Sequence, residues 1–218
     1  RISCVVHGNS DQPGGAREPV NGAPRLFIVA GEPSGDLHAA HLIGALRARL
    51  PSLHCRGFGG EKMRARGFEV LEDLPAQAVM GLFPVIKALP KIRGWFAKAQ
   101  AALVDQRPDA VLLVDYPGFN LRFAAKAKAL GIPVIYYISP QVWAWRSSRI
   151  AKIARLVDLM LVILPFEKEI YAHTGMPTHY VGHPLVDHLA TMRETPRQVS
   201  PGLERLSEPV VALFPGSR

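Results

Sequence analysis

Two acidic residues stand where a carboxylate can do chemistry. Asp115 follows the apolar run "AVLLV" in "VDYPGFN", and Glu32 follows "LFIV" in "AGEPSGD". A carboxylate at the end of a buried strand, beside a forced turn, is placed to take a proton from a hydroxyl as that oxygen attacks. Asp115 could instead cap the next helix, but Asn120 directly precedes the helical run "LRFAAKAKALG" and suits a cap better. Asn120 could also hold a sugar or a phosphate. In the glycine-rich turn, Gly31 permits backbone geometry that other residues resist. Gly35 allows a close backbone approach, and Ser34 and Asp36 offer polar groups to a ligand or a cap to the helix.

Other candidates cluster at similar strand ends. "SPQVWAW" places Gln141, Trp143 and Trp145 after an apolar run, where tryptophan stacks on a sugar, enters a lipid interface or packs under the loop. His183 in "VGHPLVD" also follows a strand at a turn. Glu167 in "LPFEKE" reads as a cap and is the weaker candidate. His38 and His41 lie three apart near Glu32 and Asp36, but zinc needs a further ligand, so no metal site is expected. Arg146, Arg149, Lys152 and Arg155 form one basic helix face, either solvated or turned to an anion. In "VMGLFPVIKALPKI", Val79, Met80, Leu82, Phe83, Val85, Ile86 and Leu89 exceed what one core stripe needs. With Lys87, Lys91 and Arg93 beside them, they fit an interfacial helix on anionic lipid, or burial against the domain.

The elements that must position these residues follow from the pattern. Leu26–Val29 is a short buried strand, and Leu42, Ile43, Leu46 and Leu50 make one stripe of the helix after it. Strand, turn and helix then repeat through "LHCRGFGG", "FEVLED", "PDAVLLVDYPGFN", "IPVIYYISPQVWAW", "VDLMLVILPFEKEIYAHTG" and "THYVGHPLVDHL". The helical stretch 78–106 is expected to break at Pro84, Pro90 and Gly94. This alternation predicts an α/β fold, a Rossmann-like parallel sheet with helices on both faces. Residues 1–24, rich in Gly, Pro and polar residues, read as a disordered leader. Residues 25–207 read as the folded domain, and "PVVALFPGSR" places the start of a second domain at 208–218.

Composition narrows the class. Of 218 residues, 48% are hydrophobic and 20% charged, a globular balance with no 18-residue apolar run to span a membrane. The net charge of +8, from 26 Lys and Arg against 18 Asp and Glu, favours polyanions but cannot choose among them. Two cysteines, Cys4 and Cys55, make neither a disulfide framework nor a zinc site and point to a reducing, cytoplasmic setting.

In order, "AGEPSGD", "GFGG", "AVMG", "DYPGFN", "YYISPQVWAWR", "LPFEKEIY", "VGHPLVD" and "LFPGSR" resemble the lipid-A-disaccharide synthase family from about residue 25 to residue 218. The resemblance implies the amino-terminal half of a glycosyltransferase-B fold, holding mainly the acceptor. It implies inverting transfer from UDP-2,3-diacylglucosamine to 2,3-diacylglucosamine 1-phosphate, giving the β-1,6-linked disaccharide 1-phosphate and UDP in lipopolysaccharide synthesis. Asp115 or Glu32 then serves as base, and Gly31, Ser34, Gly35, Asp36, Asn120, Gln141, Trp143 and His183 as substrate contacts. Ser217 and Arg218 meet the donor diphosphate. The partners implied are the UDP-sugar donor, the acylated glucosamine phosphate acceptor and an anionic membrane surface at the cytoplasmic face of the inner membrane. No metal, cofactor or nucleic acid is implied. A non-catalytic lipid-binding half-domain and another sugar-nucleotide transferase of the same fold are the alternatives.

Overall fold

The computed structural model describes residues 22–77, 82–141 and 149–194. The elements run β1 (Arg25–Ala30), α1 (Pro33–Arg49), β2 (His54–Phe58), α2 (Glu61–Arg64), β3 (Glu69–Glu72) and a 3₁₀ turn (Pro75–Gln77). They continue α3 (Leu82–Gln106), β4 (Ala110–Val114), α4 (Pro117–Ala129), β5 (Val134–Tyr137), α5 (Ile150–Leu156), β6 (Leu159–Val162), α6 (Glu167–Ala172), β7 (Thr178–Tyr180) and α7 (Pro184–Glu194). The seven strands form one sheet in the order β3-β2-β1-β4-β5-β6-β7, and every neighbouring pair is parallel.

The central strands are apolar on both faces because both faces are covered. Phe27 and Val29 point to one side, where Leu113, Trp95, Ala99 and Leu103 of α3 and Phe119 and Phe123 of α4 complete a core. Ile28 and Ala30 point to the other, meeting Val114, Ala39, Ala40 and Ile43 of α1 and Met63 of α2. The first core is largely aromatic: the rings of Phe27, Phe58, Phe96, Phe119 and Phe123 lie 5.6–6.2 Å apart in tilted and edge-on pairs. The doubly covered parallel sheet agrees with the sequence pattern.

Several boundaries differ from expectation. α3 is a single 25-residue helix with Pro90 inside it, where breaks were expected. Pro84 falls in the first turn, whose N–H groups have no partner inside the helix. Gly94 meets nothing that a Cβ would strike. Burial of Trp95, Ala99 and Leu103 holds the helix through Pro90. α4 begins at Pro117, so Asn120 lies within its first turn and is not its cap. α1 begins at Pro33 with Glu32 at the cap position and no side-chain cap bond, so neither Ser34 nor Asp36 caps it.

Leu82, Phe83, Val85, Ile86 and Leu89 lie on α3. Val79, Met80, Trp143, Trp145, Arg146, Ser217 and Arg218, with the rest of residues 1–21 and 195–218, lie outside the described residues. Among the described residues no helix is long and apolar enough to cross a membrane.

Candidate active site at the β1–β4 crevice

The chain runs from β1 to β2 on one side and returns through β4 to β5 on the other, so the strand order reverses between β1 and β4. At such a point the loops leave the sheet in opposite directions and open a crevice at the carboxyl ends of the strands. Gly31 and Glu32 line it from β1, and Asp115 and Tyr116 from β4. The structure thus brings both candidate bases to one crevice.

Asp115 is held in an unusual backbone shape. It and Tyr116 both have φ of 47°, two consecutive non-glycine residues in the left-handed region. Such residues cost on the order of 1–3 kcal/mol each and persist only where the surroundings over-determine them. Here the Asp115 amide donates to the Tyr137 carbonyl at 3.2 Å. Its own carbonyl accepts from the Tyr136 hydroxyl at 2.6 Å and from Asn120 Nδ2 at 2.7 Å. Asn120 Nδ2 also reaches the Val114 carbonyl at 3.3 Å. The Tyr136 ring is fully buried. Burial, with the Asp115 charge adding to it, holds the Tyr136 phenol well above its ordinary pKa, so it stays a donor.

Three expected substrate contacts are turned inward. Asn120 is fully buried and its amide serves the backbone of Val114 and Asp115. It positions Asp115, and its Oδ1 is buried without a hydrogen-bond partner. Asp36 is 4% exposed. Its carboxylate accepts from the amides of Gly60 at 2.8 Å, Lys62 at 3.1 Å and Met63 at 3.2 Å, capping the first turn of α2. A Cβ at Gly60 would lie 2.8 Å from Asp36 Oδ2, so the glycine gives that carboxylate room. Gly35 is buried against Ala30 and Val114 at ordinary contact distance, so its close approach is to the sheet.

Gly31 is needed for another reason than its backbone angles. A Cβ there would sit 2.3–2.7 Å from the Tyr116 ring. Tyr116 was not singled out from sequence, where it reads as one more turn residue. Tyr136 was also missed. A tyrosine on an alternately buried strand needs a partner for its hydroxyl, and that is the signal that could have found it.

The remaining candidates stay at the rim. Ser34 and Gln141 are exposed. His183 is partly buried, and its Nδ1 accepts from the Leu185 amide at 3.2 Å at the start of α7. Burial, followed by the charge of His183, lowers the pKa of His38, whose Nδ1 is buried without a hydrogen bond. Glu167 is 2% exposed. It accepts from Ser139 Oγ at 2.5 Å and from the Leu164 amide at 3.0 Å, tying the loop after β5 to the loop after β6. Ile138, just before Ser139, has a φ of 66°, a strained position for a β-branched residue.

Tyr171 lies next to this pair, fully buried, with the Ser139 side chain beside its hydroxyl. Burial above all, with Glu167 adding to it, pushes its pKa up to about 12. Between pH 10 and 12 the unfolded chain loses this proton while the folded one keeps it, so stability falls as pH rises. Tyr171→Phe removes this ionisable hydroxyl, so its melting temperature is expected to fall less than the parent's between pH 8 and pH 11. A steeper alkaline loss in the variant would contradict this account.

A pocket of about 400 Å³ opens at the opposite, amino end of the sheet, lined by Arg25, Arg47, His54, Cys55, Arg56 and Glu69 among others. Two of its cations serve the fold. Arg47 donates to the carbonyls of Arg66 and Gly67, and Arg56 pairs with Glu69 at 3.1 Å. Burial pushes the Cys55 thiol up, which disfavours its thiolate. The groups suited to proton transfer stand at the other end.

In fold, the chain resembles a UDP-N-acetylglucosamine 2-epimerase structure from Listeria monocytogenes, with a TM-score of 0.60 at 12% identity over 83% of this chain and 50% of that one. It is 49% identical to a lipid-A-disaccharide synthase of Legionella pneumophila over 90% of this chain and 51% of that protein. It is 46% identical to one of Myxococcus xanthus over 89% of this chain and 51% of that protein. The chain thus spans about half the length of these relatives. The family model described as lipid-A-disaccharide synthetase matches residues 26–218, and the chain belongs to that family.

Proposed function

We propose that this chain forms the acceptor-holding half of a lipid-A-disaccharide synthase. The reaction moves 2,3-diacylglucosamine from UDP-2,3-diacylglucosamine to the 6-hydroxyl of 2,3-diacylglucosamine 1-phosphate. It releases UDP and forms the β-1,6-linked disaccharide 1-phosphate. The observation that carries the reading, beside family membership, is Asp115: an aspartate fixed in strained backbone at the switch point by Tyr136 and Asn120. Such strain concentrates at functional sites.

The chemistry follows from that placement. The acceptor hydroxyl is a weak nucleophile until a base takes its proton, and Asp115 performs that step as the new bond forms. Inversion needs one displacement and no glycosyl-enzyme, so a single base suffices. Glu32, across the crevice, is the second candidate. Ser34, Gln141 and His183 supply polar contacts at the rim and Trp143 a stacking one, while Gly31, Gly35, Asp36 and Asn120 shape the walls. Ser217 and Arg218 meet the donor diphosphate, where a guanidinium matches phosphate oxygens in pairs. The test is an assay of the full-length protein for UDP release and disaccharide 1-phosphate. A full-length enzyme that makes no disaccharide from these substrates, or makes it equally well from non-acylated acceptors, would sink the reading.

The same proposal places the enzyme peripherally on the cytoplasmic face of the inner membrane. Val79, Met80, Leu82, Phe83, Val85, Ile86 and Leu89, flanked by Lys87, Lys91 and Arg93, give it an apolar and basic foot for anionic lipid. Replacing Leu82, Phe83 and Ile86 together with serine is expected to weaken binding to phosphatidylglycerol vesicles at least tenfold with the circular dichroism spectrum unchanged. Loss of the folded spectrum would show instead that these side chains belong to the core.

A further inference from the structure

We propose that the pocket at the amino end of the sheet is a second binding site, one that takes a phosphate group. The six residues of β1 separate it from the crevice, roughly 20 Å at the rise of a strand. It is therefore a site apart from Asp115 and Glu32, and it does not rest on the transferase reading.

Cations converge there. Arg25 opens β1 and lies opposite His54, the first residue of β2. Arg56 follows two positions along β2, so the pleat puts all three side chains on one face of the sheet. Arg47 reaches the same pocket from the last turn of α1. Glu69 is the one carboxylate among the described residues that line it.

The fold uses part of this charge and leaves the rest. Arg47 is committed to the carbonyls of Arg66 and Gly67, and one terminal nitrogen of Arg56 to Glu69. Arg56 Nε, however, is buried with no acceptor. A buried donor without an acceptor is costly, and an oxygen in the pocket removes that cost. The side chains of Arg25 and His54 are exposed and make no hydrogen bond or ion pair among the described residues. The Arg25 backbone amide is anchored on Asp109 at 2.7 Å, which fixes where its guanidinium starts.

Phosphate suits these donors. It presents several oxygens around one centre, and guanidinium groups match such oxygens in pairs. The cavity of about 400 Å³ lies in the range of small-molecule sites, with room for a sugar-sized body behind the phosphate.

The test is calorimetric binding of inorganic phosphate and of glucose 1-phosphate to the full-length protein, at an ionic strength fixed with chloride. The parent should bind, and Arg25→Gln and Arg56→Gln should each weaken binding about tenfold, the effect of losing one charge-assisted contact. Because the Arg25 guanidinium has no partner among the described residues, Arg25→Gln should keep the parent's melting temperature without ligand. Glu69→Gln should act in the opposite direction. It removes the acid that competes for Arg56, so both probes should bind about threefold more tightly. Tighter binding of glucose 1-phosphate than of inorganic phosphate would assign a phosphorylated sugar to the site, and the reverse would assign free phosphate. A parent that binds neither probe overturns the proposal. Binding that is equal in the parent, Arg25→Gln and Arg56→Gln also overturns it, because the anion then sits elsewhere, and so does weaker binding by Glu69→Gln. Disaccharide formation enters none of these readouts, so a failed transferase assay leaves the outcome standing.

Discussion

Asp115→Asn in the full-length enzyme is expected to slow disaccharide formation by ~10²–10⁴-fold, the usual contribution of a general base. Asparagine keeps the size of the side chain and much of its hydrogen bonding, but it cannot accept the proton of the attacking hydroxyl. The backbone that holds position 115 is unaffected, because Tyr136 and Asn120 grip its carbonyl and not its side chain. Acceptor binding and melting temperature should therefore stay near the parent's, and the loss should appear in kcat. Near-normal turnover would move the base to Glu32 and leave Asp115 as a turn residue. Asn120→Ala makes an instructive companion. It removes the clamp and keeps the carboxylate, so the rate should fall together with the stability.

The largest effect on stability is expected from Asp36→Ala. Three backbone amides, of Gly60, Lys62 and Met63, converge on this nearly buried carboxylate. Hydrogen bonds to a charged group contribute about 1.5–3 kcal/mol each in isolation, but contributions in one cluster do not add. A net loss of about 3 kcal/mol is expected, which for a domain of this size corresponds to roughly 6–12 °C in melting temperature. Asp36→Asn keeps one acceptor oxygen and should fall between. Urea unfolding measures the cost directly. If Asp36→Ala loses under about 1 kcal/mol while the acceptor KM rises sharply, the carboxylate serves the ligand and not α2.

The contrast between these two aspartates shows what a sequence does and does not disclose. The alternation of apolar runs with turns made the doubly covered parallel sheet legible, because burial on both faces leaves a direct trace in composition. The ends of β1 and β4 were legible as site loops for the same reason, and the motifs in their order pointed to the family. Which polar residue faces the crevice was not legible. Asp36 and Asp115 both stand in glycine-containing turns, yet the partners of Asp36 come from 24 to 27 residues away. Asn120 looked like a helix cap because a proline can open a helix as well as precede one, and α4 begins at Pro117. Tyr116 left no local trace, since its neighbour Gly31 lies on another strand's loop.

The strand order also says something about how the protein comes into being. β1 pairs directly with β4, Leu26 lying opposite Ala110 and Ala30 opposite Val114, and the Arg25 amide is bonded to Asp109, 84 positions along the chain. Each half of the crevice rests on a strand that its own local neighbours cannot complete. β1 and β2 can meet early across α1, and β4 and β5 across α4, but the crevice exists only once those two units join. Closing so long a loop is entropically costly before any contact rewards it, and chains dominated by such pairings fold slowly. Asp115 and Glu32 are therefore brought together only by that long-range pairing, and in a nascent chain only after α3 has been made.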